Sequence, residues 1–271
     1  VEYNALSIAS TLAWGLGYFG MPHILLRFMA IEDEKKLKTS RRVASIWVVI
    51  SLGVGVFIGV VGNAMSKVGA IEVLEGKSQA ETIIVRIAHL LSTYGILPAI
   101  CAGVILAGIL AATMSTADSQ LLASASSVSQ NILQEFFGVR LTEKKSMVVA
   151  RTTVIIISVI AILLASDPNS SVFEIVSFAW AGFGATFGPV VLISLFWKGA
   201  NKYGVMAGML SGGIMIFVWK YIISQFGGIF KIYELLPAFI VALVVIIVVS
   251  MATGGPEQKV IDKFNEVRHS K

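Results

Sequence analysis

Seven runs of apolar residues, each near the length needed to cross a bilayer, alternate with short polar intervals along this chain. Residues 5–30 form the first run, but Gly15, Gly17, Gly20 and Pro22 fall close together inside it, which predicts a discontinuous helix. Residues 43–65 make a cleaner span, with Gly55 and Gly59 at a spacing that lets helices approach closely. In the less apolar interval that follows, residues 80–91 have amphipathic periodicity and predict a short lid-like helix at the interface. The third run starts near Ile96 and extends to Ile132 or beyond, far longer than a bilayer needs; its serine-rich second half is expected outside the hydrocarbon.

Residues 147–165 are rich in Val and Ile and end at Asp167, Pro168 and Asn169, a turn signal. Residues 170–197 carry a face of small residues from Ala179 to Gly184, then Gly188 and Pro189, where a kink is expected. Residues 203–224 place Gly204, Gly208 and Gly212 on one face, a doubled contact motif, and residues 234–252 form a plain Val/Ile helix followed by a charged tail. The fold class is therefore all-α, a polytopic helical membrane protein. Composition agrees, with 56% hydrophobic and 14% charged residues and a mean hydropathy of +0.84.

The net charge of +5 does not point to nucleic acid, because the basic residues lie in short loops with no aromatic interleaving. Arg27, Lys35, Lys36, Lys38, Arg41 and Arg42 follow the first run; Arg140, Lys144, Lys145 and Arg151 follow the third. Lys198 and Lys202 follow the fifth, and Lys259, Lys263, Arg268 and Lys271 the seventh. These make sixteen of the 21 basic residues on one side, which predicts seven spans with the start outside and the C-terminus in the cytoplasm of a cell whose plasma (inner) membrane holds the protein. The chain begins at Val1 and enters an apolar run at once, so it is read as an internal or C-terminal piece of a longer protein.

Enzyme chemistry finds little support. His23, His89 and His269 are scattered, no pair has metal-ligand spacing, and Cys101 is a single small residue in an apolar run. The stretch from Ala111 to Gln120 is different, because it sets hydroxyls and a carboxylate within hydrocarbon. On a helix, Ala112, Ser115, Thr116 and Ser119 share a face. Two hydroxyls with a backbone carbonyl suit a hard monovalent cation; equally, such hydroxyls can bond back to the preceding turn and line a helix contact. Asp118 lies about 200° of helix rotation beyond Thr116, so it is expected to line an ion path with Ser119, or to form an ion pair, rather than to ligate the same ion. Trp14, Tyr18 and Pro22 recur at i+4 within the broken first run. This is either a substrate site at exposed backbone or an aromatic belt beside a proline kink.

Three stretches carry a resemblance: Leu12 to Gly20 with Pro22, His23 and Arg27 to Ile31; Gly108 to Ala112 with Met114, Ser115 and Thr116; and Ala179 to Val191. In this order they resemble the sodium:solute symporter family, and within it the proline-transporting branch. The resemblance implies sodium-coupled symport of proline into the cell by alternating access, with sodium as the transported coupling ion and no enzymatic activity. It implies sodium ligands at Ala112 (through its carbonyl), Ser115 and Thr116, and substrate contacts from Trp14, Gly15, Tyr18 and Pro22. The implied fold is a LeuT-type inverted repeat: residues 1–200 as the second repeat, 201–253 as two peripheral helices and 254–271 as a cytoplasmic tail. An N-terminal repeat of the same protein is then the partner that closes the sodium site with backbone carbonyls. The alternatives are sodium symport of another small solute, such as a carboxylate-bearing nutrient, and a transporter-like membrane sensor.

Overall fold

The computed structural model describes residues 4–166 and 171–269, and every regular element among them is helical. Among the described residues six helical stretches are long and apolar enough to cross a membrane, which fits a polytopic helical membrane protein; the first of the seven expected runs, residues 5–30, is instead two shorter helices. The expected turn at Asp167 to Asn169 lies outside the described residues. The chain forms two compact units, one from the described residues up to Ala30 with those from Phe173 onward, the other from Ile31–Val172.

In the first unit, α1 (Ala5–Gly17) starts at Asn4, whose side chain accepts a hydrogen bond from the Ser7 N–H at 2.9 Å. It stops before α2 (Pro22–Met29). The Gly20 N–H turns back to the Gly17 carbonyl at 3.0 Å, and Met21 is extended, as the residue before a proline prefers. Pro22 then occupies the first turn of α2, where its missing N–H leaves no bond unmade. The predicted break is thus local chemistry.

The rest of this unit is α8 (Val172–Phe196), α9 (Lys202–Tyr221), α10 (Leu235–Ala252) and α11 (Gln258–His269). Pro189 sits inside α8 without ending it. Lipid tails are as apolar as Leu, so these helices associate through close packing and hydrogen bonds. The α9 glycines make that packing possible: a Cβ on Gly208 would enter the Ile246 side chain, and one on Gly212 the backbone of Ala185. Ala181, Ala185, Ile216, Leu235, Ala238 and Phe239 form the buried core. At one end Asn201 joins three segments. Its Oδ1 accepts from the Gly204 N–H at 2.9 Å, while its amide donates to Thr253 Oγ1 at 2.8 Å and to the Ser250 and Gly255 carbonyls at 3.2 Å. Gly254 and Gly255, at φ +87° and +78°, reverse the chain into α11.

Gly184 of α8 is the tightest backbone crossing with α1. A Cβ there would stand 2.7 Å from Gly17 Cα and 2.9 Å from Leu235 Cδ1. Gly184→Ala is therefore expected to destabilise the fold by about 1–3 kcal/mol, read as a lower thermal unfolding midpoint of the purified full-length protein.

In the second unit, α3 (Leu37–Lys67) precedes two short helices, α4 (Gly76–Ala80) and α5 (Ile83–Ser92). The expected lid-like helix over 80–91 is α5, displaced by a few residues because Ala80 ends α4 and a turn at Glu81 and Thr82 separates the two. Glu81 fastens this turn, accepting from Ser171 Oγ at 2.6 Å and from the Val172 N–H at 3.0 Å, and Arg86 pairs with Glu72. Gly55 and Gly59 meet no neighbour despite their spacing; the glycine of α3 that is packed is Gly62, against Ile83 and Ile87 of α5.

The helix α6 (Ile96–Ser126) continues without interruption as a π-helix over Ser127–Phe136, and α7 (Glu143–Ala165) follows. The wider π turn is marked by the Phe137 N–H donating to the Ile132 carbonyl, five residues back, at 3.0 Å.

Candidate functional site

Two groups of residues carry candidate chemistry, one in each unit. The first surrounds the break after α1. Trp14 is half-buried, and its indole lies nearly parallel to three other rings: Phe173 at 5.2 Å, Trp180 at 5.6 Å and Tyr233 at 5.8 Å between centroids, all within 17°. Offset stacks at such distances contribute about 0.5–1.5 kcal/mol each beyond burial. Tyr18 meets Trp180 edge-on at 4.9 Å. Trp180 Nε1–H donates to the Trp14 carbonyl at 3.0 Å, and Gly17 lacks a side chain where that indole rests. The broken helix is therefore held by aromatic contacts with α8 and with the segment before α10.

Tyr233 makes one of these ring contacts and two hydrogen bonds. Its N–H donates to Ser10 Oγ at 3.1 Å, its hydroxyl donates to the Ser177 carbonyl at 2.6 Å, and its ring stacks on Trp14. Burial, and after it the charge of Glu234, push the phenol up, so it stays a donor across the working pH range. Glu234 is in turn 3.6 Å from the Lys220 ammonium. Tyr233→Phe keeps the stack and removes the bond to Ser177. A loss of about 1 kcal/mol is expected, measurable as a lower unfolding midpoint.

Of the four residues expected to touch substrate, Trp14 and Tyr18 come together on Trp180. Gly15 and Pro22 do not join them: a methyl at Gly15 would meet nothing within 4 Å, and Pro22 is exposed at the start of α2. Phe173 and Tyr233 have no local sequence signal for this role.

The second group lies on α6. Thr116 Oγ1 donates to the Ala112 carbonyl at 3.2 Å, and Ser119 Oγ donates to the Ser115 carbonyl at 3.0 Å. Back-bonding to the preceding turn is thus present, and it also brings oxygens together. Two ligands of a hard cation, each about 2.3–2.6 Å from the ion, stand roughly 3.2–3.7 Å apart when they subtend a right angle. The Ala112 carbonyl and Thr116 hydroxyl already have that spacing. The Ser115 hydroxyl has no hydrogen-bond partner among the described residues.

Residues 103–120 of α6 are all exposed, and the buried residues of the helix are Ala102 and Ala125, near its two ends. Asp118 is also exposed and makes neither an ion pair nor a hydrogen bond with a described residue. Beyond Ser119, where α6 and its π-helical continuation face α7, lies a cavity of about 410 Å³ with a mixed lining that includes Leu122, Ser126, Ser129, Gln134, Ser146 and Met147. There Gln134 Nε2 donates to the Ser129 carbonyl at 3.2 Å.

A model of the sodium:solute symporter family matches residues 3–212. The chain belongs to the sodium:solute symporter family. It is similar to the sodium/proline symporter of Haemophilus influenzae, 41% identical over 263 residues, which cover 96% of this chain and 51% of that protein. It is also similar to two Bacillus subtilis proteins. The osmoregulated proline transporter OpuE is 38% identical over 93% of this chain and 49% of its own length; the high-affinity proline transporter PutP is 38% identical over 97% and 53%. This member of the sodium:solute symporters spans about half the length of the curated relatives it matches. No solved structure matches it significantly. Together with the six apolar helices, membership makes this an integral membrane protein whose family couples solute movement to sodium.

Proposed function

We propose that this chain is part of a sodium-coupled proline symporter, which carries proline into the cell by alternating access. The observation that carries the proposal is the oxygen cluster on α6. The Ala112 carbonyl and Thr116 hydroxyl are 3.2 Å apart, beside an unpartnered Ser115 hydroxyl, in a family whose coupling ion is sodium. The similarity to proteins named as proline transporters supplies the substrate.

Ala112, Ser115 and Thr116 hold one side of the sodium ion, and Asp118 and Ser119 lie on its path toward the cavity beyond Ser119. Backbone carbonyls of a first repeat in the same protein complete the coordination. Trp14 and Tyr18 offer proline's ring an apolar aromatic surface, while Gly15 and Pro22 leave the backbone at the break open to its polar groups. No bond is made or broken. Sodium favours the arrangement that binds proline better, and proline the arrangement that binds sodium better, so the two couple by differential affinity.

In this reading residues 1–200 are the second inverted repeat, residues 201–253 two peripheral helices and residues 254–271 a cytoplasmic tail. The protein sits in the plasma (inner) membrane, with sixteen of its 21 basic residues on the cytoplasmic side.

The test is uptake of radiolabelled proline into proteoliposomes holding the full-length protein. Uptake is expected to require an inward sodium gradient and to be competed by unlabelled proline. Equal uptake with choline in place of sodium overturns the coupling; sodium-driven uptake of another solute that proline does not compete for overturns the substrate.

A further inference from the structure

We propose that the pocket where α8, α9 and α11 meet binds the phosphodiester headgroup of an anionic phospholipid. The pocket is a cavity of about 430 Å³ whose lining includes Trp197, Lys198, Asn201, Lys202, Tyr203 and Phe264. That volume is in the range of small-molecule sites and accommodates a phosphate with its glycerol.

Its position sets the ligand's depth. The apolar helix α8 ends at Phe196 and α9 begins at Lys202, so the linking turn stands where hydrocarbon gives way to headgroups. Trp197 and Tyr203 are the amphipathic aromatics favoured at that level. The helix α11 adds a wall. Its apolar residues Val260, Phe264 and Val267 recur at helical spacing among the charged residues Lys259, Asp262, Lys263 and Glu266, the pattern of an amphipathic helix lying in the interface.

The chemistry of the lining then selects an anion. Neither the Lys198 nor the Lys202 ammonium has an ion-pair partner among the described residues; Lys202 Nζ stands 5.2 Å over the Tyr203 ring. Glu257 is the one carboxylate in the lining, against two ammoniums. The pocket is also built rather than incidental, because the Asn201 side chain, bonded to Gly204, Thr253 and Gly255, fixes the start of α9 against the turn into α11.

A lipid fits better than a soluble phosphate for a structural reason. Beside the lysines stand the exposed apolar side chains of Leu195, Phe196 and Met206, along which acyl chains can lie. A free anion has no use for that surface.

The inference rests on the membrane-embedded architecture and on neither the sodium nor the proline assignment. Its readout is accordingly lipid binding and not uptake, so the two can fail separately. In native mass spectrometry of the full-length protein, phosphatidylglycerol is expected to form one retained adduct that phosphatidylcholine does not. A lysine near an anionic surface contributes about 1 kcal/mol, so removing two weakens binding about 30-fold. Lys198→Gln with Lys202→Gln is expected to show that loss at an unchanged unfolding midpoint. Lys198→Arg with Lys202→Arg is expected to keep affinity within about threefold, and Lys202→Gln alone to weaken binding about fivefold. Millimolar inorganic phosphate is expected not to displace the adduct. Unchanged affinity in the glutamine variants, equal binding of phosphatidylcholine, or displacement by inorganic phosphate overturns the proposal.

Discussion

Ser115→Ala and Thr116→Ala are each expected to raise the sodium concentration for half-maximal proline uptake by about tenfold or more in the full-length transporter. The size follows from what each hydroxyl does in the proposed site. A polar partner of a charged group contributes about 1.5–3 kcal/mol, and about 1.4 kcal/mol is a factor of ten. Neither change removes packing within this chain, because both side chains are exposed on α6. Thr116→Ala also releases its bond to the Ala112 carbonyl, and Thr113 separates that effect from the loss of a ligand. The Thr113 hydroxyl bonds back to the Ile109 carbonyl at 2.9 Å and is equally exposed. It lies about 110° round the helix from the centre of the proposed ligand face. Thr113→Ala is expected to leave the sodium requirement within about twofold, and Thr116→Ser, which keeps the oxygen, to restore most of what Thr116→Ala loses.

At the broken helix, Trp14→Ala and Gly15→Ala are expected to part company in stability and agree in function. Trp14 is held by three stacked rings. Its removal is expected to destabilise the fold by about 2–4 kcal/mol, toward the lower end for a half-buried aromatic, and to lower apparent proline affinity as well. Gly15 is the sharper probe. Its missing Cβ faces open space within α1, so alanine there is expected to raise fold stability by up to about 1 kcal/mol through helix propensity. If Gly15 stands at the proline site, the same methyl raises the proline concentration for half-maximal uptake at least tenfold in a protein that melts no earlier. A Gly15→Ala protein that is more stable and transports proline normally removes Gly15 from the substrate site.

What was legible in the sequence, and what was not, divides by range. The helix break at residues 18–21 could be read because Gly17, Gly20 and Pro22 act through their own backbone. The packing of α9 on α10 could be read because Gly204, Gly208 and Gly212 repeat at helical spacing. The aromatic enclosure of Trp14 could not: Trp180 bonds to it across 166 residues and Tyr233 reaches Ser10 across 223, and pairings at that distance leave no local pattern. Gly55 and Gly59 show the opposite limit, since their spacing allows a close helix contact but nothing in the second unit supplies the partner. The π-helix after Ser126 also went unread, because apolar periodicity over ten residues does not distinguish i+4 from i+5 bonding. On α6 the sequence marked which oxygens share a face, and the structure adds that the Thr116 hydroxyl bonds back to the Ala112 carbonyl at 3.2 Å. Asp118 has no ion pair among the described residues.

The most direct test of the α6 assignment is a sodium titration of proline uptake by full-length protein in proteoliposomes, with Thr116→Ala and Thr113→Ala measured side by side. The account predicts a half-saturating sodium concentration about tenfold or more above wild type for Thr116→Ala and within about twofold for Thr113→Ala. Equal sodium dependence in the two variants, whether both shifted or both unshifted, contradicts it.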